Sequence, residues 1–200
     1  MKRFLEHQAL NFLLNFLKHK MELFFSSLSD VGSIRTKNED FYFSGQLNND
    51  NYLFVVADGV GGHSSGEVAS HKAVSELVKT LKKENGKDVL EILKKTVLRI
   101  NDILIEESNR EAKNKRMGTT LSALYIRNKK GYVAHVGDSR IYRYSNRRGL
   151  EQITEDHSLI ARLKKEGLIS TEEALKHPKR NILYQSIGSK KAIQIQMVGP

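Results

Sequence analysis

The sequence predicts one domain that mixes strands and helices, and three observations carry this prediction. Apolar runs rich in Val and aromatic residues stop abruptly at Gly and Asp in several places, and two long stretches repeat Ala and Leu at helical spacing. The 200 residues also include only two prolines and no internal repeat or low-complexity segment, as expected for a chain built around a single core.

In chain order, Phe41-Tyr42-Phe43 is the first strand-like run, directly behind the charged segment Arg35-Thr36-Lys37-Asn38-Glu39-Asp40. The second lies in YLFVVADGVGG, residues 52–62, where the continuous apolar stretch 53–57 suits a strand covered on both faces. Asp58 ends that stretch, and Gly59, Gly61 and Gly62 permit positive φ or a close backbone approach to a ligand. Residues 67–83 read as a helix with Ala69, Ala73, Leu77 and Leu81 near one face. A loop at 82–87 leads to a second helix from Val89 to about Asn109, whose buried side is Leu90, Leu93, Val97, Ile100, Leu104 and Ile105. Gly118-Thr119-Thr120 opens a strand-like run through Ile126, and residues 132–136 form another that ends in Gly137-Asp138-Ser139-Arg140. Tyr132, Tyr142 and Tyr144 alternate with other residues in strands, which assigns them to core packing. Thr154-Glu155-Asp156-His157-Ser158 is a cap signal for a helix over 158–166, and Ser170-Thr171-Glu172-Glu173 starts a short helix with a capping-box pattern.

Asp58 and the Gly59 carbonyl are hard oxygen donors of the kind Mg²⁺ and Mn²⁺ prefer, although Asp-Gly by itself also describes a strand end entering a tight turn. In the 35–40 segment, one carboxylate could reach a metal while Arg35 clamps a phosphate through two hydrogen bonds; the bland alternative is a salt-bridged surface turn. Asp138 repeats the pattern of apolar strand, glycine and carboxylate.

The absence of cysteine excludes disulfides, a Cys-based zinc site and a Cys-nucleophile phosphatase, and it points to the cytoplasm. The net charge of +10 is spread over pairs such as Lys129-Lys130, Arg147-Arg148, Lys164-Lys165 and Lys190-Lys191, which describes a solvated basic surface and not a nucleic-acid partner. Residues 1–20 form an amphipathic extension with Phe4, Leu5, Leu10, Leu13, Leu14 and Leu17 on one stripe. Three readings stay open for it: an artefact of start-site choice, a packing helix, or contact with a membrane surface.

Five motifs, RTKNED, VVADGVGGHSSGEVAS, GTTLSAL, VGDSR and ITEDHS, occur in an order and spacing that resemble the metal-dependent protein phosphatases of the PPM or 2C type. Val60 and Gly61-Gly62-His63 are similar to the bacterial branch, and the resemblance covers the chain from about Met21 to its end. It implies the α+β class: a four-layer αββα sandwich of two antiparallel β-sheets flanked by helices, C-terminally incomplete over 21–200.

By resemblance, Asp58 bridges two Mn²⁺ or Mg²⁺ ions, the Gly59 carbonyl binds the second, and Glu39 and Asp40 support that ion through water. Arg35 binds phosphate, and Asp138 is associated with a third ion in some members. Gly118 and Thr119 underlie the site, while Asp156, His157 and Ser158 lead into a flap as structural residues. The implied reaction is in-line attack on phosphorus by a water that two metal ions activate. Val60 stands where many eukaryotic relatives carry His, so the leaving-group proton is assigned to His63 or to a metal-bound water. The family's later Ser-Asp-Gly-Leu strand end and Asp-Asn pair do not follow, and Asp50-Asn51 comes too early to replace them. The first metal site is therefore expected to be weak, with sheet edges and apolar faces left open. The expected function is a metal-dependent serine/threonine phosphatase acting on phosphorylated proteins, including substrates of Ser/Thr kinases. The alternative is a catalytically impaired pseudophosphatase that binds phosphoproteins. Lys176, Lys179 and Arg180 near the flap are expected to favour acidic substrates.

Overall fold

A computed structural model describes residues 23–48, 51–61, 65–84, 86–110 and 117–200. Its main sheet is antiparallel, in the order β1 (Asp40–Asn48), β2 (Asn51–Val60), β4 (Leu121–Arg127), β5 (Lys130–Val136) and β8 (Gln196–Val198). A two-residue strand, β3 (Gly118–Thr119), pairs with the end of β2. Helices α1 (Ser65–Lys83) and α2 (Val89–Arg110) pack on the sheet. Strands β6 (Tyr142–Ser145) and β7 (Gly149–Gln152) form a separate hairpin, followed by α3 (Leu159–Lys165) and α4 (Thr171–Lys176).

The period of two along the strands creates the core. Leu53, Val55 and Ala57 of β2 lie in register with Tyr125 and Ala123 of β4 and Phe43 and Phe41 of β1, so one face of the sheet is continuous and apolar. Against it α1 sets Ala69, Ala73, Leu77 and Leu81, and α2 sets Leu93, Val97, Ile100 and Leu104, all buried. Each buried Leu or Val contributes about 1.5–3 kcal/mol relative to exposure. Alanines at 57, 69, 73, 123 and 134 supply the small surfaces that let helix and sheet approach.

Several expectations need correction. Residues 53–57 are fully covered on one face and only partly on the other, where Val56 is 46% exposed and Tyr42 of β1 is 37% exposed. The reverse face takes Phe25, from the segment ahead of β1, edge-on against Phe54 at 5.5 Å. The α+β class of antiparallel sheets with helices is as expected, and among the described residues the second sheet is the two-stranded β6–β7 hairpin. Tyr142 and Tyr144 are exposed because their hairpin stands off the main sheet, so alternation there marks a strand without marking burial. On α2, Leu90 and Ile105 are half-buried, while Thr96 and Asn101 are buried. Thr96 Oγ1 donates to the Ile92 carbonyl at 2.7 Å. Asn101 donates to the Lys190 carbonyl at 3.0 Å and accepts from the Gly188 N–H at 2.8 Å, which ties residues 188–190 to α2. Helix α1 ends at Lys83 as read and begins two residues earlier, at Ser65. The caps are as read: Ser158 accepts from Ala161 N, and Ser170 and Glu173 form a reciprocal capping box.

Candidate active site

Asp58 is the penultimate-but-one residue of β2, and its register partner across the hairpin is Asp40, the first residue of β1. The strand end is clamped by the chain opposite. The Asp58 N–H donates to Thr120 Oγ1 at 2.9 Å, and its carbonyl accepts from Thr120 N at 2.9 Å and Thr119 Oγ1 at 3.0 Å. The next N–H, of Gly59, donates to the Glu39 carbonyl at 3.1 Å, which also accepts from Ser70 Oγ at 2.6 Å. Strand β2, the entry to β1 and helix α1 are thus fastened at one point.

Burial is the main reason that the Asp58 carboxyl is pushed up to about 6 from 3.8. The charge of Asp40 and a hydrogen bond with it add to the rise, Asp138 adds more, and Arg35 opposes it. A cation bound there would relieve the repulsion between the neighbouring carboxylates, and their hard oxygens suit Mn²⁺ or Mg²⁺. The donor set therefore fits a divalent ion at Asp58 and Asp40.

The rest of the expected ligand set is more dispersed. Asp138 is raised by burial and by Asp156, against the pull of Arg140, and it lines a neighbouring cleft with those two residues. The Glu39 side chain lies toward Gly66 at the start of α1, and the Gly59 carbonyl also lies against Gly66. Among the described residues no group of three or more His, Cys, Asp or Glu is placed to hold a metal ion. The structure thus brings Asp58 and Asp40 together with Arg35 and Asp138 in electrostatic reach, and turns Glu39 toward the helix. His63 and Asp50 lie outside the described residues.

A buried polar network beneath the site was not legible in the sequence. Thr120 Oγ1 lies 2.9 Å from Ser139 Oγ, and Ser122 Oγ bridges the Ser139 carbonyl (2.7 Å) and His135 Nδ1 (2.8 Å). His135 Nε2 reaches the Glu155 carbonyl at 3.0 Å. The loop carrying Asp138 is thereby joined to β4, β5 and the chain entering α3. Arg140 grips Asp156 in a fork, with Nε to Oδ1 at 2.9 Å and Nη2 to Oδ2 at 2.6 Å.

His157 is buried, its ring 5.0 Å from that of His135, and its Nδ1 accepts the Gly137 N–H at 3.2 Å. Burial first, then the neighbouring His135, push it down to about 4 from 6.5. A histidine held neutral in the fold contributes stability above pH 6.5 and loses it as pH falls through about 4. His157→Asn, which keeps an acceptor for Gly137, is expected to flatten the fall of the unfolding temperature between pH 6.5 and 4. The raised carboxyls are common to both proteins, so the difference isolates His157. Identical pH slopes for the two proteins would refute this.

A pair of strand-end carboxylates set where β1 and β2 meet, Asp58 half-buried and Asp40 exposed, with Arg35 in electrostatic reach, defines a candidate site for metal-assisted phosphoryl chemistry. The chain belongs to the protein phosphatase 2C family, whose sequence profile matches residues 16–164. It is 38% identical over 174 residues to the serine/threonine phosphatase stp of Listeria monocytogenes, covering 84% of this chain and 68% of that protein. The crystal structure of the serine/threonine phosphatase Stp1 from Staphylococcus aureus superposes with a TM-score of 0.79 at 36% identity, over 86% of this chain and 68% of that one. The catalytic domain of the serine/threonine protein phosphatase PstP, solved in complex with two manganese ions, superposes with a TM-score of 0.73 at 31% identity, over 86% and 70%. Each of these proteins is named a phosphatase, and none supports the binding-only alternative.

Proposed function

We propose that this protein is a metal-dependent phosphatase that removes phosphate from phosphoserine and phosphothreonine of cytoplasmic proteins, with residues 21–200 as the working domain. The observation that carries the reading is the pairing of Asp58 with Asp40 across the β1–β2 register, with the charge of Arg35 acting on it. Asp58 and Asp40 would hold Mn²⁺ or Mg²⁺, with the Gly59 carbonyl and Glu39 as further oxygen donors and Asp138 serving an additional ion. Such ions supply Lewis acidity toward the phosphoryl group and a nucleophile from water at neutral pH. Arg35 orients the phosphoryl oxygens through its planar fork, and Thr120 and Thr119 keep Asp58 aimed by holding its backbone on both sides. His63 or a water supplies the leaving-group proton.

The test is hydrolysis of p-nitrophenyl phosphate and of a phosphothreonine peptide with Mn²⁺ and with EDTA. Turnover that requires Mn²⁺ is the expected result, and no turnover of either substrate in Mn²⁺ would overturn the proposal. The two manganese ions of the PstP catalytic domain support the choice of metal.

A further inference from the structure

A cleft of about 590 Å³ opens beside Asp138 and is shared with the segment that carries α3 and α4. Lys164, Leu175, Arg180 and Tyr184 line it from that segment, and Arg140 and Asp156 line it near Asp138. Most of its charges are already matched within the fold: Arg140 with Asp156, Lys165 with Glu155, and Arg162 with Glu166. Lys164 and Arg180 have no carboxylate partner among the described residues; a side-chain nitrogen of Arg180 reaches only the Leu175 carbonyl, at 3.4 Å. Beside these two cations Leu175 is 70% exposed and Tyr184 39% exposed, an apolar surface left in water. The imbalance is regional, since residues 159–191 contain eight Lys and Arg against three Asp and Glu, half of the chain's net charge of +10.

Unmatched cations next to exposed apolar side chains, in a cleft that begins at a carboxylate of the candidate site, complement an extended chain bearing negative charge. We propose that this cleft receives the polypeptide flanking the phosphorylated residue and selects an acidic residue at Lys164 and Arg180 beside an apolar one at Leu175 and Tyr184. This rests on the phosphatase reading above and names the substrate class of that site.

The test compares two fluorescein-labelled phosphothreonine peptides that differ only in Glu or Lys flanks, titrated by fluorescence anisotropy in EDTA so that neither is consumed. The full chain is expected to bind the acidic peptide about tenfold more tightly. The double variant Lys164→Gln/Arg180→Gln is expected to bring the two within about twofold. A control double variant at a distant turn, Lys129→Gln/Lys130→Gln, keeps the preference. Equal binding of both peptides by the unaltered chain, a preference that survives in the cleft variant, or an equal loss in the control would each overturn the proposal. Hydrolysis of p-nitrophenyl phosphate by the unaltered chain reads the phosphatase reading separately, so its failure leaves the binding comparison fully decisive.

Discussion

Asp58→Asn is expected to lower Mn²⁺-dependent phosphatase activity by at least about 100-fold, the order lost when a group that stabilises transition-state charge is removed. It is also expected to make the metal-free protein more stable at pH 7.5. Both effects come from one carboxyl. In the fold Asp58 is raised to about 6, chiefly by burial and then by Asp40 and Asp138. A carboxyl raised above its unfolded value of 3.8 favours the fold below that pH, and the contribution is lost as pH rises through about 6. Neutral pH is therefore where ionised Asp58 costs the fold most. Asparagine has the same shape, carries no charge, and can offer the Asp40 carboxylate an N–H. The unfolding temperature in EDTA should then be higher for the variant at pH 7.5 and equal to that of the unaltered chain near pH 4. Mn²⁺ should raise the unfolding temperature of the unaltered chain and leave the variant unmoved, because a ligand stabilises only the state that binds it. A variant that gains as much from Mn²⁺ as the unaltered chain would remove Asp58 from the metal site.

What could be read from the sequence was local. The 67–83 and 89–109 helices were legible because Ala69, Ala73, Leu77 and Leu81, and then Leu93, Val97, Ile100 and Leu104, repeat at one helical face, and the fold buries all of them. Asp58 and Asp40 were each visible as carboxylates at strand ends. Their meeting depends on the β1–β2 register, which a motif does not contain. The hydrogen-bond network was hidden for the same reason, since Thr120 holds Asp58 across 62 residues. One signal was available: Ser122 and His135 are polar residues inside apolar runs, at positions off the core-facing alternation, and they turn out to be register partners. Gly66 carried no signal, because its small size matters only where Gly59 comes against it in space. Tyr142 and Tyr144 misled because alternation is a property of any strand, whereas burial requires a second layer.

Gly59→Ala is expected to be strongly destabilising, because the added methyl meets backbone. A Cβ at Gly59 would lie 2.3 Å from both the carbonyl carbon and oxygen of Gly66, and 2.7 Å from the Glu39 carbonyl oxygen. All three are backbone atoms, so no rotamer change relieves the clash. Nor is the neighbourhood free to move: the Gly59 N–H bonds to the Glu39 carbonyl, Ser70 of α1 bonds to that same oxygen, and Ala69 and Ala73 are fully buried in the core. Separating the strand end from α1 would break these contacts together. The expected loss is about 3 kcal/mol, the upper end for overpacking, a large part of the 5–15 kcal/mol that typically holds a domain folded. Gly149→Ala is the matched comparison. Gly149 sits at φ +71° in the hairpin with nothing within 4 Å of its added Cβ. Its cost is left-handed backbone strain alone, roughly 1–2 kcal/mol. Urea unfolding of the two variants should therefore give a lower midpoint for Gly59→Ala at unchanged slope. A Gly59→Ala midpoint at or above that of Gly149→Ala would mean that α1 yields at its first turn and that the strand end holding Asp58 is not fixed by this contact.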